Sequence, residues 1–577
     1  MSTSRTPLER SPAPTELFVD DETAERLRGE SLAYPSLTLT RRQLCDLELL
    51  LNGGFHPLQG FMDEAAYEGV LDRCRLPDGS VWPIPVVLDV TTDLASKLAV
   101  GHKLALRDAE GFMPAVLTVT QVWQPDKGRE ALAVFGTDDT AHPGVRYLYE
   151  RTGSHYVAGT LEGIAAPAHH DFEALWNTPQ ELHHHFRKMG WRNVIAFHTT
   201  NPIHKVQRRV IIDAAKEHQA HILLHPAVGE TKPGDLQYYA RVRCYKAVQR
   251  HLPLDMSALS LLPLAMRMAG PREALWHALI NRNFGCTHFL VGPDHASPPQ
   301  DSEDGKAFYG KYQAQEFLRG FADEIGIEIV TQPEYRYVPN RKSFVPEDEA
   351  LAQGLQTTVL GEGELRHLLL SGKEVPEWFS YAEVIEELRQ VYPPRSRQGI
   401  TIFFTGLSGS GKSTLANIIY AKLVESGGRP VSLLDGDIVR QNLSSELGFS
   451  KAHRDVNIRR IGFVASEITK NGGIAICAPI APYMQTRRAV REMIEQHGAF
   501  IEIHVSTSLD VCESRDRKGL YAKARKGIIP EFTGISDPYE VPARPELRID
   551  TGELQPSEAA QEILLYLFKE GYLDEDV

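Results

Sequence analysis

The 577-residue sequence is poor in cysteine, with only six, far apart at Cys45, Cys74, Cys244, Cys286, Cys477 and Cys512. No CxxC pair occurs, which argues against a zinc ribbon or a disulfide framework. No apolar run approaches the roughly 18–20 residues of a membrane span. The first stretch, Met1 to Pro14, is polar and Pro/Ser-rich. It lacks the apolar core of a secretion signal and reads as a frayed terminus. Basic residues are the minority charge, 62 against 76 acidic ones, for a net charge of −14. That balance argues against a general nucleic-acid binder and leaves room for local basic pockets. With no signal and no paired cysteines, a reducing cytoplasm is the expected compartment.

What remains is ordinary soluble composition, 42% apolar and 24% charged. At ~100–200 residues per domain the length implies roughly three to five domains. Up to about residue 170, short runs such as Val86-Val87-Leu88-Asp89-Val90 alternate with Gly, Pro and Asp, the pattern of a mainly β module. From 171 to 330, helical patterns alternate with the runs Val194-Ile195-Ala196-Phe197, Ile222-Leu223-Leu224 and Phe289-Leu290-Val291. This predicts an α/β domain with a parallel sheet. A small segment, 331–391, ends in the helical pattern Ala382 to Leu388. Residues 392–398, with Pro393, Pro394 and Ser396, read as a linker, and 399–577 as an independent α/β unit.

That last unit opens with the strand candidate Ile400 to Thr405, followed by GLSGSGKST, Gly406 to Thr414. Gly406, Gly411, Lys412 and Ser413 fit G-x-x-x-x-G-K-[ST], with Ser408, Gly409, Ser410 and Thr414 completing the loop. Glycines let backbone N–H groups turn inward around phosphates, and the helix that follows adds a positive dipole. Lys412 can reach the β/γ-phosphates and Ser413 can ligate Mg²⁺. The next strand, Val431 to Leu434, ends in Asp435-Gly436-Asp437. Carboxylates at a strand's carboxyl end sit at the mouth of an open α/β sheet. One can hold Mg²⁺ through water and one can accept a proton from an attacking hydroxyl. Arg440, Arg454, Arg459 and Arg460 follow, and arginine's planar fork suits sulfate and phosphate oxygens.

LDGDIVR, LGFSKAHRDVNIRRIG (Leu447 to Gly462), CAPIAPY (Cys477 to Tyr483), RDRKGLYAKARKG (Arg515 to Gly527) and EFTGISDPYE (Glu531 to Glu540) occur in that order. With the phosphate loop they resemble adenosine 5′-phosphosulfate (APS) kinase across nearly all of 399–577. The resemblance implies transfer of the ATP γ-phosphoryl group to the 3′-hydroxyl of APS, giving 3′-phosphoadenosine 5′-phosphosulfate (PAPS), with Mg²⁺ as cofactor. It implies Asp435 as the catalytic carboxylate, with Asp437 beside it. Arg440, Arg454 and Asn457 would fix the phosphosulfate and ribose. Phe449 and Phe532 would sandwich the adenine, and Ile480 would contribute through its backbone. Arg515, Arg517, Lys518, Lys523, Arg525 and Lys526 would form a basic lid, with Arg515 on ATP and Lys518 approaching the phosphates.

Upstream, NGGFHPLQGFM (Asn52 to Met62), FGTDDTAHPGV (Phe135 to Val145), AFHTTNPIHKVQ (Ala196 to Gln207), LHPAVGETKPGD (Leu224 to Asp235), MRMAGPREALWHALI (Met266 to Ile280) and VGPDHAS (Val291 to Ser297) resemble ATP sulfurylase over about 15–390. This implies a β-rich, PUA-like first domain, a Rossmann-like second domain and a small third one. The family's Q-T-R-N-P-x-H-x-x-H and G-R-D-H-A-G are altered here. His198, Thr200 and Gln207 stand at the glutamine, the arginine and the second histidine, and Pro293 and Ser297 replace an arginine and a glycine. Asn201, Pro202, His204, Asp294 and His295 match.

Thr200 offers no bidentate charge, and Pro293 offers neither charge nor N–H. Two lost cations and a histidine predict a sulfurylase-like region that does not join sulfate to ATP. The alternatives are a working bifunctional synthetase, in which His198 and Lys205 rebuild the sulfate site, and an assembly or allosteric nucleotide module. His183-His184-His185 cannot converge on one ion from consecutive helical positions and reads as a solvated face, while Met266 and Met268 read as packing. The expected partners are ATP and APS, without nucleic acid or membrane. A chain with both resemblances suggests a homo-oligomer, a dimer or a hexamer.

Overall fold

The computed structural model describes residues 10–230, 238–253, 255–298, 305–448, 450–516 and 519–573. The chain divides into two compact units. One comprises Met1–Gly361 with Val375–Val391, the other Glu362–Glu374 with Tyr392–Val577.

In the first unit, the alternating run Ala115–Trp123 lies antiparallel to His155–Gly163, with a bulge between Val119 and Gln121. They form the middle of a five-stranded sheet in the order Ser36–Thr38, Lys103–Arg107, Ala115–Trp123, His155–Gly163, Leu88–Val90. Short strands broken by Pro and Gly give this β-rich portion, as their spacing predicts. The following sheet is wholly parallel, in the order Glu328–Thr331, His288–Val291, Val194–Phe197, His221–Leu224, Ser257–Leu259. Its three inner strands are the short apolar runs, buried between helices that include Lys205–Glu217 and Gly270–Asn283. A hairpin of Tyr335–Val338 and Ser343–Pro346 follows.

The helix Pro179–Lys188 departs from the expectation of a solvated histidine face. His184 is exposed, but His183 is buried, and its Nε2 lies 3.2 Å from the Asn283 carbonyl oxygen. Its position beside Leu182 and Phe186 places it on the apolar stripe. Met266 and Met268 pack in the core.

The second unit is built on a five-stranded parallel sheet in the order Val431–Asp435, Ile474–Ala478, Ile400–Thr405, Ala499–Val505, Leu547–Ile549. The central strand Ile400–Thr405 is buried at every residue. Fully buried strands read as continuous apolar runs, which is why this one is plain in the sequence. The helices Lys412–Ser426 and Pro556–Lys569 cover one core, and Lys451–Lys470 and Met484–Glu495 the other. Residues 392–398 belong to this unit, where Arg395 donates to the Glu570 carbonyl at 3.0 Å. Glu362–Leu370, which the sequence groups with the small third segment, also clusters here. Among the described residues, no helix is long and apolar enough to cross a membrane.

Candidate active site

In the second unit, the turn from the strand Ile400–Thr405 into the helix Lys412–Ser426 needs backbone angles that side chains resist. Gly406, Gly409 and Gly411 have φ of 152°, 77° and 103°. A Cβ at Gly406 would lie 2.5 Å from the Val505 carbonyl oxygen. Lys412 is buried inside this loop, its Nζ donating to the carbonyls of Gly406 at 3.0 Å and Leu407 at 2.7 Å. Burial pulls its pKa down to about 8, against the smaller upward pull of Cys512 and then Asp435. Ser410 is buried, Ser408 half-buried, and Gly409, Ser413 and Thr414 are exposed.

Ser413 opens the helix and donates through Oγ to Asp435 Oδ1 at 2.9 Å. Asp435 ends the next strand in sequence, Val431–Asp435, and the same oxygen accepts the Gly436 N–H at 2.9 Å, capping the helix Gly436–Asn442. Lysine, hydroxyl and carboxylate thus meet at the carboxyl end of the sheet. Two oxygens of this kind fit a hard divalent cation, which takes oxygen ligands and keeps several waters.

A second cluster gathers residues of the later motifs. Arg454 Nη1 donates to Asp537 Oδ2 at 2.6 Å and Thr533 Oγ1 at 2.8 Å, and Nη2 bonds the Glu531 carbonyl. Phe532 sits on that loop, half-buried, edge-on to Tyr521 at 5.1 Å. Asn457 is buried, and its Oδ1 has no hydrogen-bond partner among the described residues. Such a group demands an explanation, and a bound ligand supplies one. Arg440 Nη1 bonds the Leu447 carbonyl at 3.2 Å. The Ile480 carbonyl accepts from Thr405 Oγ1 at 2.8 Å and Gly406 N at 3.3 Å, holding the loop's base.

Arg515 donates to Thr551 Oγ1 at 2.8 Å, which donates to the Ser410 carbonyl at 2.8 Å. Tyr521 donates to the Ser408 carbonyl at 2.8 Å. Thr551, Tyr521 and Asp537 are thus parts of the site that sequence reasoning did not single out. The last two lay inside quoted motifs, but nothing local says which loop they touch. Lys523 and Lys526 are exposed, and Arg525 pairs with Glu513 at 2.9 Å. Phe449, Arg517, Lys518 and the side chain of Asp437 lie outside the described residues, as do 231–235 of the upstream motif.

The first unit's parallel sheet carries a different group at its carboxyl ends. His198 follows Val194–Phe197 and stacks on His277 with ring centroids 4.0 Å apart. His277 Nδ1 lies 3.0 Å from His295 Nε2, and His225 Nδ1 lies 2.8 Å from Asn281 Oδ1. Burial pulls His225 and His295 down to about 4 and holds His198 and His277 well below the ordinary histidine value, so the cluster is neutral at pH 7. His225 and His277 went unremarked in the sequence because their convergence is tertiary.

The other residues of the two motifs, altered or matching, are engaged in structure, as are Arg272 and Lys205. The Thr200 carbonyl accepts from Arg241 Nη1 at 2.8 Å. Asn201 N–H donates to Thr199 Oγ1 at 3.0 Å. Gln207 Oε1 accepts the His204 N–H at 3.0 Å, and His204 Nδ1 lies 2.8 Å from Ser380 Oγ. Both therefore serve the start of the helix Lys205–Glu217. Half-buried Pro293 precedes Asp294 and Ala296, which hold φ of 52° and 57°. Arg272 donates to the carbonyls of Val70, Leu71 and Pro83, and Lys205 to that of Glu377.

Comparisons with known proteins match three regions to family models: a PUA-like domain at 11–166, ATP-sulfurylase at 173–391 and adenylylsulphate kinase at 398–550. A sulfate adenylyltransferase from Mycosarcoma maydis is 49% identical over 96% of this chain and 97% of its own length. One from Chaetomium globosum is 49% identical over 95% and 96%. A solved structure described as a hexameric APS kinase from Thiobacillus denitrificans is 41% identical, with a TM-score of 0.80, covering 99% of this chain and 100% of its own. These findings favour the bifunctional alternative over a region without sulfurylase activity. The match to the sulfurylase model spans the altered motifs, and the relatives carry the transferase name over nearly the whole chain.

Proposed function

The chain belongs to the sulfate adenylyltransferase family, in the form that joins an ATP-sulfurylase domain to an adenylylsulphate kinase domain, and from that premise we propose that its second unit makes PAPS from ATP and APS. The observation that carries this reading is the meeting of Lys412, Ser413 and Asp435 at one sheet edge. Lys412, seated among loop carbonyls, turns its charge to the β/γ-phosphates when nucleotide enters. Asp435 takes the proton of the 3′-hydroxyl as the phosphoryl group arrives. Ser413, and Asp435 through water, would hold Mg²⁺, which screens the phosphate charge when bound. Arg454, Asn457 and Phe532 orient APS, and Arg515 and Tyr521 tie the lid to the phosphate loop. Formation of PAPS from ATP and APS by the intact chain tests the reading, and no product above background overturns it.

For the sulfurylase domain, the family and its named relatives support a two-step synthetase that also makes APS from ATP and sulfate. A second reading, a sulfurylase fold without that transfer, is favoured by one observation. The groups gathered at the sheet edge are neutral imidazoles, and Arg272 and Lys205 are held by backbone carbonyls elsewhere. Pyrophosphate release from ATP and sulfate, with ATP synthesis from APS and pyrophosphate, separates the two. Turnover in either direction establishes the synthetase.

Assembly as a homo-oligomer is supported by the full-length likeness to a structure described as hexameric. Light scattering that finds a monomer removes it. Six buried free cysteines suit a reducing cytoplasm.

A further inference from the structure

A short helix in the second unit, Leu520–Arg525, sets one buried ring between the phosphate loop and the loop that carries Phe532. Its start is fixed by Asp516, whose carboxylate accepts the N–H groups of Tyr521 at 3.2 Å and Ala522 at 3.0 Å. Tyr521 and Ala524 are its buried residues, three positions apart and so on one face. Tyr521 is 1% exposed. Its hydroxyl donates to the Ser408 carbonyl at 2.8 Å, and its ring stands edge-on to Phe532, with centroids 5.1 Å apart and planes at 77°.

We propose that Tyr521 is a positioning residue that couples the two nucleotide sites, so that ATP and APS each bind more tightly when the other is present. The inference rests on the reading that the phosphate loop takes ATP and that Phe532 takes the base of APS.

The phosphate-loop end of this bridge is the first argument. A trans peptide is planar, and its N–H points opposite to its C=O. Holding the Ser408 carbonyl therefore sets the direction of the Gly409 N–H, at a residue whose φ of 77° suits glycine. Glycine is the residue whose peptide turns most freely, and a backbone donor serves a phosphate only when it is aimed at it. The Ser410 carbonyl is held in the same way, accepting from Thr551 Oγ1 at 2.8 Å and Thr507 Oγ1 at 3.2 Å. Hydroxyls from outside the loop thus set its peptides, and Tyr521 supplies one of them.

The Phe532 end is the second argument. The Phe532 N–H donates to Ser536 Oγ at 2.8 Å, and its carbonyl accepts from the N–H groups of Ile535 and Ser536 at 3.0 Å and Asp537 at 3.1 Å. With the main chain fixed, the remaining freedom is rotation of the ring, and the face or edge that Tyr521 presents limits it. The two loops also touch at Gly534, where a Cβ would lie 2.9 Å from Leu407 Cδ2. That contact is apolar and has no direction, whereas a hydroxyl bond and an edge-on ring pair both have one. A nucleotide that orders one end of the Tyr521 side chain orders the other, and the second nucleotide then removes less freedom as it binds. Linkage makes the gain equal for the two substrates.

The test uses calorimetry on the intact chain with Mg²⁺. It measures the dissociation constant of APS alone and with the non-hydrolysable imido analogue of ATP at saturation, and that of the analogue alone and with APS at saturation. In wild type each constant is expected to fall at least about fivefold when the other nucleotide is present. Tyr521→Phe keeps the ring and removes the hydroxyl, so it should bind APS alone within about twofold of wild type and bring both ratios to within about twofold of one. Phe532→Leu removes the ring pair from the other side, and it should weaken APS and lower the same ratios. A tyrosine that only supports the fold would weaken both nucleotides and leave the ratios at their wild-type values. Wild-type ratios in Tyr521→Phe, or no mutual gain in wild type, would overturn the proposal. If wild type neither binds APS nor forms PAPS, the kinase reading fails and the coupling with it. If PAPS forms and the ratios ignore Tyr521→Phe, the coupling alone fails.

Discussion

At the carboxyl edge of the second unit's sheet, a buried lysine held by loop carbonyls feels the charge of an aspartate that a serine hydroxyl hydrogen-bonds. At the corresponding edge of the first unit's sheet, four histidines meet instead, and burial keeps them uncharged. Both sheets are parallel and five-stranded, and both present strand ends where open α/β folds bind ligands. The backbone scaffold is therefore no guide to the chemistry. The sign of the side chains at the strand ends decides how an anionic substrate is received.

The comparison is broken most severely by removing the buried lysine of the kinase edge. Lys412→Ala should abolish detectable PAPS formation while circular dichroism and the melting profile stay near wild type, because the loop's shape rests on glycine angles. Strong residual turnover would show that the lysine is not the phosphate contact. Asp435→Asn should bind ATP normally and lose about 10²–10⁴ in turnover, the usual worth of a general base. If single-turnover rates survive, Asp437 becomes the candidate.

Phe532→Ala should raise the KM for APS much more than that for ATP. Base stacking on an aromatic is worth about 1–3 kcal/mol. Equal losses for both nucleotides would mean that the ring only supports Tyr521. A pH series sharpens the contrast between the edges. Bound phosphate favours charged Lys412, whose pKa without nucleotide is about 8, so the ATP dissociation constant should be flat below that pH. Above it, the constant should rise by up to about tenfold per unit. A flat profile to pH 10 would show that the lysine stays charged.

The histidine edge should respond in the other direction. His204, His225 and His295 titrate near 4 when folded, below the ordinary histidine value. Their folded pKa is depressed, so stability present above about 6.5 is lost as pH falls toward 4. The first unit's melting temperature should drop across that window, and a transition unchanged between pH 6.5 and 4.5 would contradict the burial seen here.

Much of this was legible in order along the chain. The strands Ile400–Thr405 and Val194–Phe197 begin and end where their apolar runs do, because strands buried on both faces need no alternation. The phosphate loop was legible because glycine, lysine and serine are required at fixed offsets. His183 was misread because its helix face is set by Asn283, a hundred residues away. Tyr521 and Thr551 were missed for the same reason, since each reaches the phosphate loop through a backbone carbonyl that any residue could offer.

The sequence by itself determined the order of the domains, the phosphate loop and the presence of Thr200 and Pro293 where the sulfurylase resemblance leads one to expect arginine. These depend on residue type and local spacing, which the chain carries whatever its surroundings. Only the tertiary structure decided that Gln207 serves a helix start, that Arg272 is held by backbone carbonyls, and that His198, His225, His277 and His295 form one buried cluster. Charge and protonation there follow from burial, and burial is set by residues far apart in the chain.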